Sequence, residues 1–394
     1  AGRKAKTAIA YEVAFKYLNA GLELLSANAW DNNYDFTWAL YVEAVEAAYL
    51  SGEFDRMEKL VEIVVQKAKT LLDKIRVYEC KILAYVADRK LLEALEIALK
   101  TLNFLGAKIP ESPTEEDINL ALAETASLIP KTGIKDLMNL PQMTDRYSLA
   151  TMQILTSILP ASYHASPKLY LLFVLLQVNL SITHGNSPIS AYAYSGYGLI
   201  LCGIANNIEL GYQFGQLALN LSLQLDNKSI NAKVLLVVAT FILHWKSHLK
   251  ESLSLFQAGY QSGLESGDLE SPAWIHYFEC QASYLIGEEL TGLQRKIESY
   301  SHAIRQLKQQ LPLNDNQILH QVVLNLIGRS DDPCCLIGEA YNEERSLPRH
   351  IATNDMQAIY YLHLHKLILC YLFGNYPQAL ENSSIAAKYV TNLP

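Results

Sequence analysis

Two histidines, His244 and His248, have the spacing that a zinc site on a helix requires. Residues four apart lie on the same face of a helix, so both imidazoles could reach one metal ion. In the metalloprotease motif HExxH a glutamate follows the first histidine, whereas this sequence has Trp245 there. No third ligand is apparent, so we predict no metal site and interpret both residues as surface or groove histidines.

Motifs for catalysis and for cofactor binding are missing. The sequence has no Gly-Lys dipeptide and hence no phosphate-binding P-loop. Neither of the protein-kinase motifs HRD and DFG occurs. Gly196 and Gly198 begin a glycine pattern, but Leu201 stands where the dinucleotide fingerprint has its third glycine. We therefore predict that this segment is not an enzyme and binds no cofactor.

Small and aromatic residues alternate over 191–198, where Tyr192, Tyr194 and Tyr197 are separated by Ala, Ser and Gly. One interpretation is packing between helices, since small residues allow close approach and tyrosine can keep its hydroxyl wet. The other is a tyrosine-lined groove, because tyrosine offers a large contact area at low entropic cost. The second interpretation defines a candidate groove, which consists of Tyr192, Tyr194, Tyr197, His244, Trp245 and His248.

Helices must position these side chains, because helical spacing runs through the sequence. In Tyr41–Leu50 apolar residues recur at steps of three and four, which marks one face of a helix. The sustained alternation that is typical of strands is hard to find. We predict an all-α fold.

A short pattern, Tyr-Leu-x-Gly, recurs three times and each time separates two predicted helices. The copies lie at Tyr49–Gly52, Tyr284–Gly287 and Tyr371–Gly374. From 284 to 371 is 87 residues, or two units of about 43, and such a period is typical of an α-solenoid. The turn resembles that of the tetratricopeptide repeat (TPR), whose strict unit has about 34 residues. We predict an α-solenoid of degenerate TPR-like helix pairs; the alternative is an irregular helical bundle with chance matches.

One stretch interrupts the rhythm of the repeats. Residues 129–144 contain Pro130, Gly133 and Pro141, which disfavour a continuous helix. We predict N-terminal helical repeats at 1–128, an irregular connection or hinge at 129–144, and C-terminal TPR-like repeats at 145–394. Together these would form one continuous superhelix.

Charge, hydropathy and cysteine usage limit the surroundings and partners. The 32 Lys and Arg against 40 Asp and Glu give a net charge of −8, which repels phosphate backbones and excludes nucleic acid as the expected partner. The strongest apolar runs, Leu169–Leu176 and Val234–Leu243, are shorter than the roughly 18 residues of a membrane span. The six cysteines form no CxxC pair, and we predict that they are free thiols in a reducing compartment. We predict a cytoplasmic chain without membrane insertion.

Longer segments are similar to one particular family, the helical middle region of large bacterial, especially cyanobacterial, multi-domain signalling kinases. The segments that carry the resemblance are Ala39–Leu50, Gly198–Gly203, Gly211–Ala218, Tyr260–Asp268, Val322–Asp332 and Lys366–Tyr376. The resemblance implies a domain order of Ser/Thr-kinase-like domain, STAND-class ATPase, TPR-like helical region, GAF sensor and histidine kinase. It also implies that the ATP-handling residues of such a protein lie outside this segment.

The resemblance and the missing motifs together predict a non-catalytic scaffold or regulatory module. Its expected partners are proteins or the flanking domains of the same polypeptide, and it would relay the state of an ATPase or sensor. The resemblance implies a parent Ser/Thr or histidine kinase with an ATPase domain. The alternative function is the small-ligand sensor arm of a STAND-type ATPase.

Overall fold

The protein is all-helical in the computed structural model, which describes residues 1–8, 10–131, 133–225 and 227–390. These residues include no β-strand and only two isolated β-bridges. The predicted all-α fold is therefore confirmed. The helices are α1 (Gly2–Thr7), α2 (Tyr11–Glu23), α3 (Ala29–Asn32), α4 (Tyr34–Leu50), α5 (Phe54–Lys67), α6 (Leu71–Ala87), α7 (Leu91–Phe104), α8 (Glu115–Leu128), α9 (Arg146–Ala165), α10 (Pro167–His184), α11 (Ser190–Gly203), α12 (Ile208–Leu225), α13 (Lys228–Val237), α14 (Ser252–Ser266), α15 (Glu270–Leu285), α16 (Leu290–Gln306), α17 (Gln310–Leu326), α18 (Glu343–Ala352), α19 (Met356–Leu372) and α20 (Tyr376–Val390).

Local sequence explains where several helices begin. Thr70 precedes α6 and Thr114 precedes α8, and each threonine oxygen accepts the N–H of an aspartate three residues later. The carboxylates of Asp73 and Asp117 accept the threonine N–H groups in return. This reciprocal cap satisfies donors that the first turn leaves unpaired.

Contacts divide the chain into two compact units. The first unit, Ala1–Ile129 with Leu140–Ile189, contains α1 to α10. Within it α4 packs on α2, α5 and α6, and α9 packs on α6, α7 and α10. Ala44, Ala47 and Ala48 of α4 are fully buried, so their small side chains let the neighbouring helices approach closely.

The second unit, Pro130–Asn139 with Ser190–Pro394, contains α11 to α20. The pairs α11–α12, α13–α14, α15–α16 and α19–α20 are each in contact, and α11, α13, α15, α17 and α19 also touch in succession. Each of the first four odd-numbered helices thus borders a neighbour in sequence and the next odd-numbered helix. The buried apolar clusters of this unit lie in the seams between them.

The segment 129–144 is divided between the units. Within it Ile134–Asn139 forms a 3-10 helix that packs on α12 of the second unit, whereas Met143 donates its N–H to the carbonyl of Asn186 in the first. Thr132 lies outside the described residues. The compact units have other bounds than the predicted domains 1–128 and 145–394, and the division into those domains stays a prediction.

One helical run, Lys228–Trp245, is long and apolar enough to cross a membrane by length and composition, with a mean hydropathy of 1.2. Half of the run is buried inside the protein, where Val234, Val238 and Ala239 have no exposed area. A core helix of a protein that folds in water has the same properties. The cytoplasmic location stays a prediction.

Candidate functional site

The tyrosines of the candidate groove lie on α11. Tyr194 and Tyr197 are 0% and 1% exposed, and their ring centroids lie 5.9 and 4.8 Å from that of Phe214 on α12. Tyr192 is half-buried. Burial raises the pKa of Tyr194, which keeps its hydroxyl protonated. Because a side chain without exposed area cannot contact a ligand, Tyr194 and Tyr197 belong to the seam between α11 and α12.

Glycines explain why that seam is tight. A Cβ atom added to Gly198 would lie 2.9 Å from the carbonyl oxygen of Gly211, and one added to Gly211 would lie 2.8 Å from that of Gly198. No larger residue fits at either position without moving a helix. The alternation of small and aromatic residues in this segment therefore serves helix packing at Tyr194 and Tyr197.

The other candidate groove residues, His244, Trp245 and His248, are exposed. After α13 the chain makes a π-helical turn, Val238–Ile242, and a 3-10 helix that ends at Trp245. The two histidines therefore do not share one α-helical face. His248 instead caps the next 3-10 helix, Leu249–Glu251, where its Nδ1 accepts the N–H of Lys250 at 3.1 Å.

Metal binding finds no support elsewhere in the described ranges. They contain no group of three or more His, Cys, Asp or Glu side chains that could hold a metal ion.

The three Tyr-Leu-x-Gly turns share one geometry. The φ angles of Gly52, Gly287 and Gly374 are 80°, 78° and 77°. Each glycine donates its N–H to the carbonyl of the pattern's tyrosine at 3.0 to 3.3 Å. The tyrosines are Tyr49, Tyr284 and Tyr371. These turns end α4, α15 and α19, and the next helix follows directly.

A polar cleft of about 530 Å³ lies in the second unit. Helices α16 and α17 form two of its sides, and the loop between α17 and α18 forms the third. We name it the polar cleft; it is lined by Gln294, Glu298, Ser301, Arg305, Gln317, His320, Arg329, Glu339 and Ala340.

The floor of the polar cleft consists of buried polar groups. Gln294, Ser301 and His320 are only 8%, 7% and 8% exposed. Nε2 of Gln294 and Nε2 of His320 lie 3.3 Å apart, and Oγ of Ser301 accepts from Nδ2 of Asn316 at 2.9 Å. Burial lowers the pKa of His320, although the carboxylate of Glu298 opposes the shift. The imidazole is therefore neutral at pH 7.

The walls of the polar cleft carry charges of both signs. Arg329 and Glu339 face each other at 3.7 Å. Glu298 accepts a hydrogen bond from Gln294 at 3.1 Å, but neither Glu298 nor Arg305 has an ion-pair partner within the described part of the chain. The carboxylate of Glu298 is thus available to pair with a cationic group of a ligand, and the guanidinium of Arg305 with an anionic group.

A second polar cluster of the same unit is closed to solvent. Asp315 is 3% exposed and accepts from Nε2 of Gln357 at 2.6 Å, while Asp355 accepts from His350 Nδ1 at 3.1 Å. Burial and the neighbouring Asp355 raise the pKa of Asp315 well above its usual range. Burial also disfavours the charge of Asp355, but the hydrogen bond and charge of His350 prevail and lower its pKa. Asp315 therefore keeps its proton at pH values where Asp355 has lost it.

The comparison with known proteins gives a context for these features. The chain matches no protein-family model. It is similar to the hybrid signal transduction histidine kinase G of Dictyostelium discoideum, with 20% identity over 334 residues. The matched region covers 78% of this chain and 10% of that kinase, so the chain spans about a tenth of its length. The similarity supports a signalling-kinase context for this all-helical chain.

Proposed function

We propose that the chain is a non-catalytic helical-repeat module of a multi-domain signal-transduction kinase. The observation that carries this proposal is the similarity to a hybrid histidine kinase over 334 residues. In the proposal, proteins or neighbouring domains of the same polypeptide bind the module, and it relays the state of an ATPase or sensor to the kinase. The missing P-loop and kinase motifs favour a role without catalysis in this segment.

The helix contacts of the second unit support the repeat character of the proposed module. Successive pairs share seams, and the Tyr-Leu-x-Gly turn occurs at the ends of α15 and α19. Repeat proteins bury their apolar surface between neighbouring units in this way and present extended surfaces to partners. We therefore interpret the pairs as degenerate TPR-like repeats of an α-solenoid.

Binding and turnover measurements test the proposal. The purified 394-residue chain is immobilised and exposed to the separately purified remaining segments of the polypeptide that carries it, with an unrelated helical protein as control. We expect at least one segment to bind the chain and not the control. ATP hydrolysis or autophosphorylation by the chain itself, or failure of every segment to bind, would contradict the proposal.

The polar cleft favours a second candidate function, the small-ligand sensor arm of a STAND-type ATPase. Its volume of about 530 Å³ is in the range of small-molecule sites. A ligand that binds only the folded chain raises its unfolding temperature, by an amount that grows with ligand concentration. Thermal denaturation with candidate ligands therefore tests this function separately from partner binding.

A further inference from the structure

The geometry points to a short unblocked peptide of about three residues as the ligand of the polar cleft, with its ammonium group at Glu298 and its carboxylate at Arg305. This inference rests on the second candidate function, ligand sensing, and is independent of the proposed scaffold role. It begins with the two wall charges that have no ion-pair partner within the described residues.

The spacing of the two charges sets the length of the ligand. Glu298 and Arg305 are seven residues apart on α16, which is two turns along the same face and about 10 Å along the helix axis. The ammonium and carboxylate of a single amino acid are far too close together to reach both. An extended chain of three residues spans about 10 Å. A tripeptide therefore matches the spacing of the two residues along the helix axis.

The charge balance of the cleft selects a ligand with no net charge. Arg329 and Glu339 already form a pair at 3.7 Å, and burial keeps His320 neutral by lowering its pKa. What remains is one guanidinium and one carboxylate. A simple anion would leave Glu298 without a partner, and a simple cation would leave Arg305 without one.

The floor of the cleft offers groups that match a peptide backbone, and Ser301 lies between the two charges on α16. The hydroxyl of Ser301 accepts from Asn316, so its hydrogen is available to donate to a carbonyl oxygen. The amide of Gln294, one turn before Glu298, and the adjacent imidazole of His320 are 8% exposed each and lie at the end of the cleft where the ammonium group would bind. Amide and hydroxyl groups of this kind bind the main chain and leave side chains unspecified. We therefore expect affinity for peptides of varied sequence.

Calorimetric titration of the 394-residue chain with tri-alanine tests the inference. Two blocked forms serve as matched ligands: N-acetyl-tri-alanine lacks the ammonium group, and tri-alanine amide lacks the carboxylate. We expect tri-alanine to bind with a Kd of about 1 mM or tighter and each blocked form to bind at least about tenfold more weakly. Equal affinity for all three forms, tight binding of glycine, or no binding of tri-alanine would overturn the inference.

Variants assign each end of the peptide. With Arg305→Gln we expect tri-alanine and its amide to bind equally weakly, because the peptide carboxylate no longer has a partner. With Glu298→Gln we expect tri-alanine and its acetylated form to bind equally weakly, because the ammonium group no longer has one. Arg295→Gln is the control, since Arg295 is exposed on α16 and does not line the cleft. If amidation still weakens binding to Arg305→Gln, the peptide does not lie as inferred.

A further titration separates the inference from ligand sensing in general. Glutarate, which carries two carboxylates, is titrated under the same conditions. One outcome would be that the wild-type chain binds glutarate but not tri-alanine, and that Arg305→Gln abolishes the binding of glutarate. In that case the cleft is a ligand site, but the peptide inference is wrong. Protein binding by the chain is measured independently, so the scaffold role stands or falls by itself.

Discussion

The backbone N–H of Lys308 donates to the carbonyl of Arg305 at 3.1 Å, and the φ angle of Lys308 is 58°. Gly287 makes the equivalent bond to Tyr284 at 3.2 Å with a φ of 78°. The ends of α15 and α16 thus have the same turn, once with glycine and once with lysine. Only glycine adopts this left-handed conformation without steric cost.

Exchanging residue types at these two turns should shift stability in opposite directions. We expect Lys308→Gly to raise the free energy of unfolding by up to about 1 kcal/mol and Gly287→Ala to lower it by about 1 kcal/mol. A Cβ at Gly287 would meet no atom within 4 Å, so the loss would come from the backbone alone. Urea denaturation followed by circular dichroism measures both effects.

Lys308→Ala is the control for the lysine side chain, because it keeps a Cβ in the left-handed conformation. It should leave stability nearly unchanged. A gain for Lys308→Ala as large as that for Lys308→Gly would show that the side chain and not the backbone is responsible.

These turns also show how far local sequence predicts the fold. Glycine marks the turns at Gly52, Gly287 and Gly374, and the sequence alone located all three. Arg89 and Lys308 adopt the same left-handed conformation, with φ angles of 60° and 58°, but nothing in their residue types indicates it. There the packing of flanking helices imposes a backbone conformation that the residues themselves disfavour.

The candidate site was harder to predict than the fold. Residues 294, 298, 301 and 305 form a polar stripe on α16, which by itself indicates only a face in contact with water. The stripe becomes part of a cleft because α17 and the loop that carries Arg329 and Glu339 line the same space. The i, i+4 spacing of His244 and His248 misleads for a related reason, since the π-helical turn before them is not visible in a spacing pattern.

Glu79 is expected to be a stabilising link within the first unit. The residue is 7% exposed, and its carboxylate accepts from Arg76 at 2.6 Å, Gln153 at 2.8 Å and Ser157 at 3.2 Å, which joins α6 to α9. Glu79→Ala removes the acceptor that these donors share, although Arg76 keeps Glu46 and Ser157 keeps the carbonyl of Gln153, so we expect the free energy of unfolding to fall by about 2 kcal/mol. Urea denaturation followed by tryptophan fluorescence measures the change.

The exposed Glu62 on α5 of the same unit provides the matched control. Glu62→Ala should change stability by less than about 0.5 kcal/mol. Similar small effects of both substitutions would mean that the Glu79 contacts contribute nothing net to folding.

Asp315→Asn should stabilise the protein at neutral pH. Burial and Asp355 raise the pKa of Asp315 above its unfolded value, so the stability that depends on its proton is present at low pH and is lost as the pH rises through the folded pKa. Asparagine resembles the protonated acid and never ionises. Because one pKa unit corresponds to about 1.4 kcal/mol, we expect a gain of more than about 1 kcal/mol at pH 8.

The pH dependence of that gain distinguishes ionisation from packing. Unfolding of the wild type and of Asp315→Asn is compared at pH 8 and pH 4. The advantage of the variant should shrink toward pH 4, where the unfolded aspartate also begins to bind its proton. If the stability gain of Asp315→Asn does not depend on pH, ionisation of Asp315 does not destabilise the folded state.

His276 is expected to make the protein sensitive to acid. Its ring lies between Tyr260 and Tyr300, at centroid distances of 4.3 and 3.8 Å, and burial lowers its pKa to about 4. The unfolded histidine binds a proton near pH 6.5, so stability is full above that pH and falls as the pH drops toward 4, by up to about 3 kcal/mol.

His276→Phe keeps a ring in the stack and cannot be protonated. We expect it to lose less stability than the wild type between pH 7 and pH 4.5, as measured by thermal denaturation, whereas the exposed His248→Phe should follow the wild type. If His276→Phe shows the same acid sensitivity as the wild type, protonation of this ring does not limit stability.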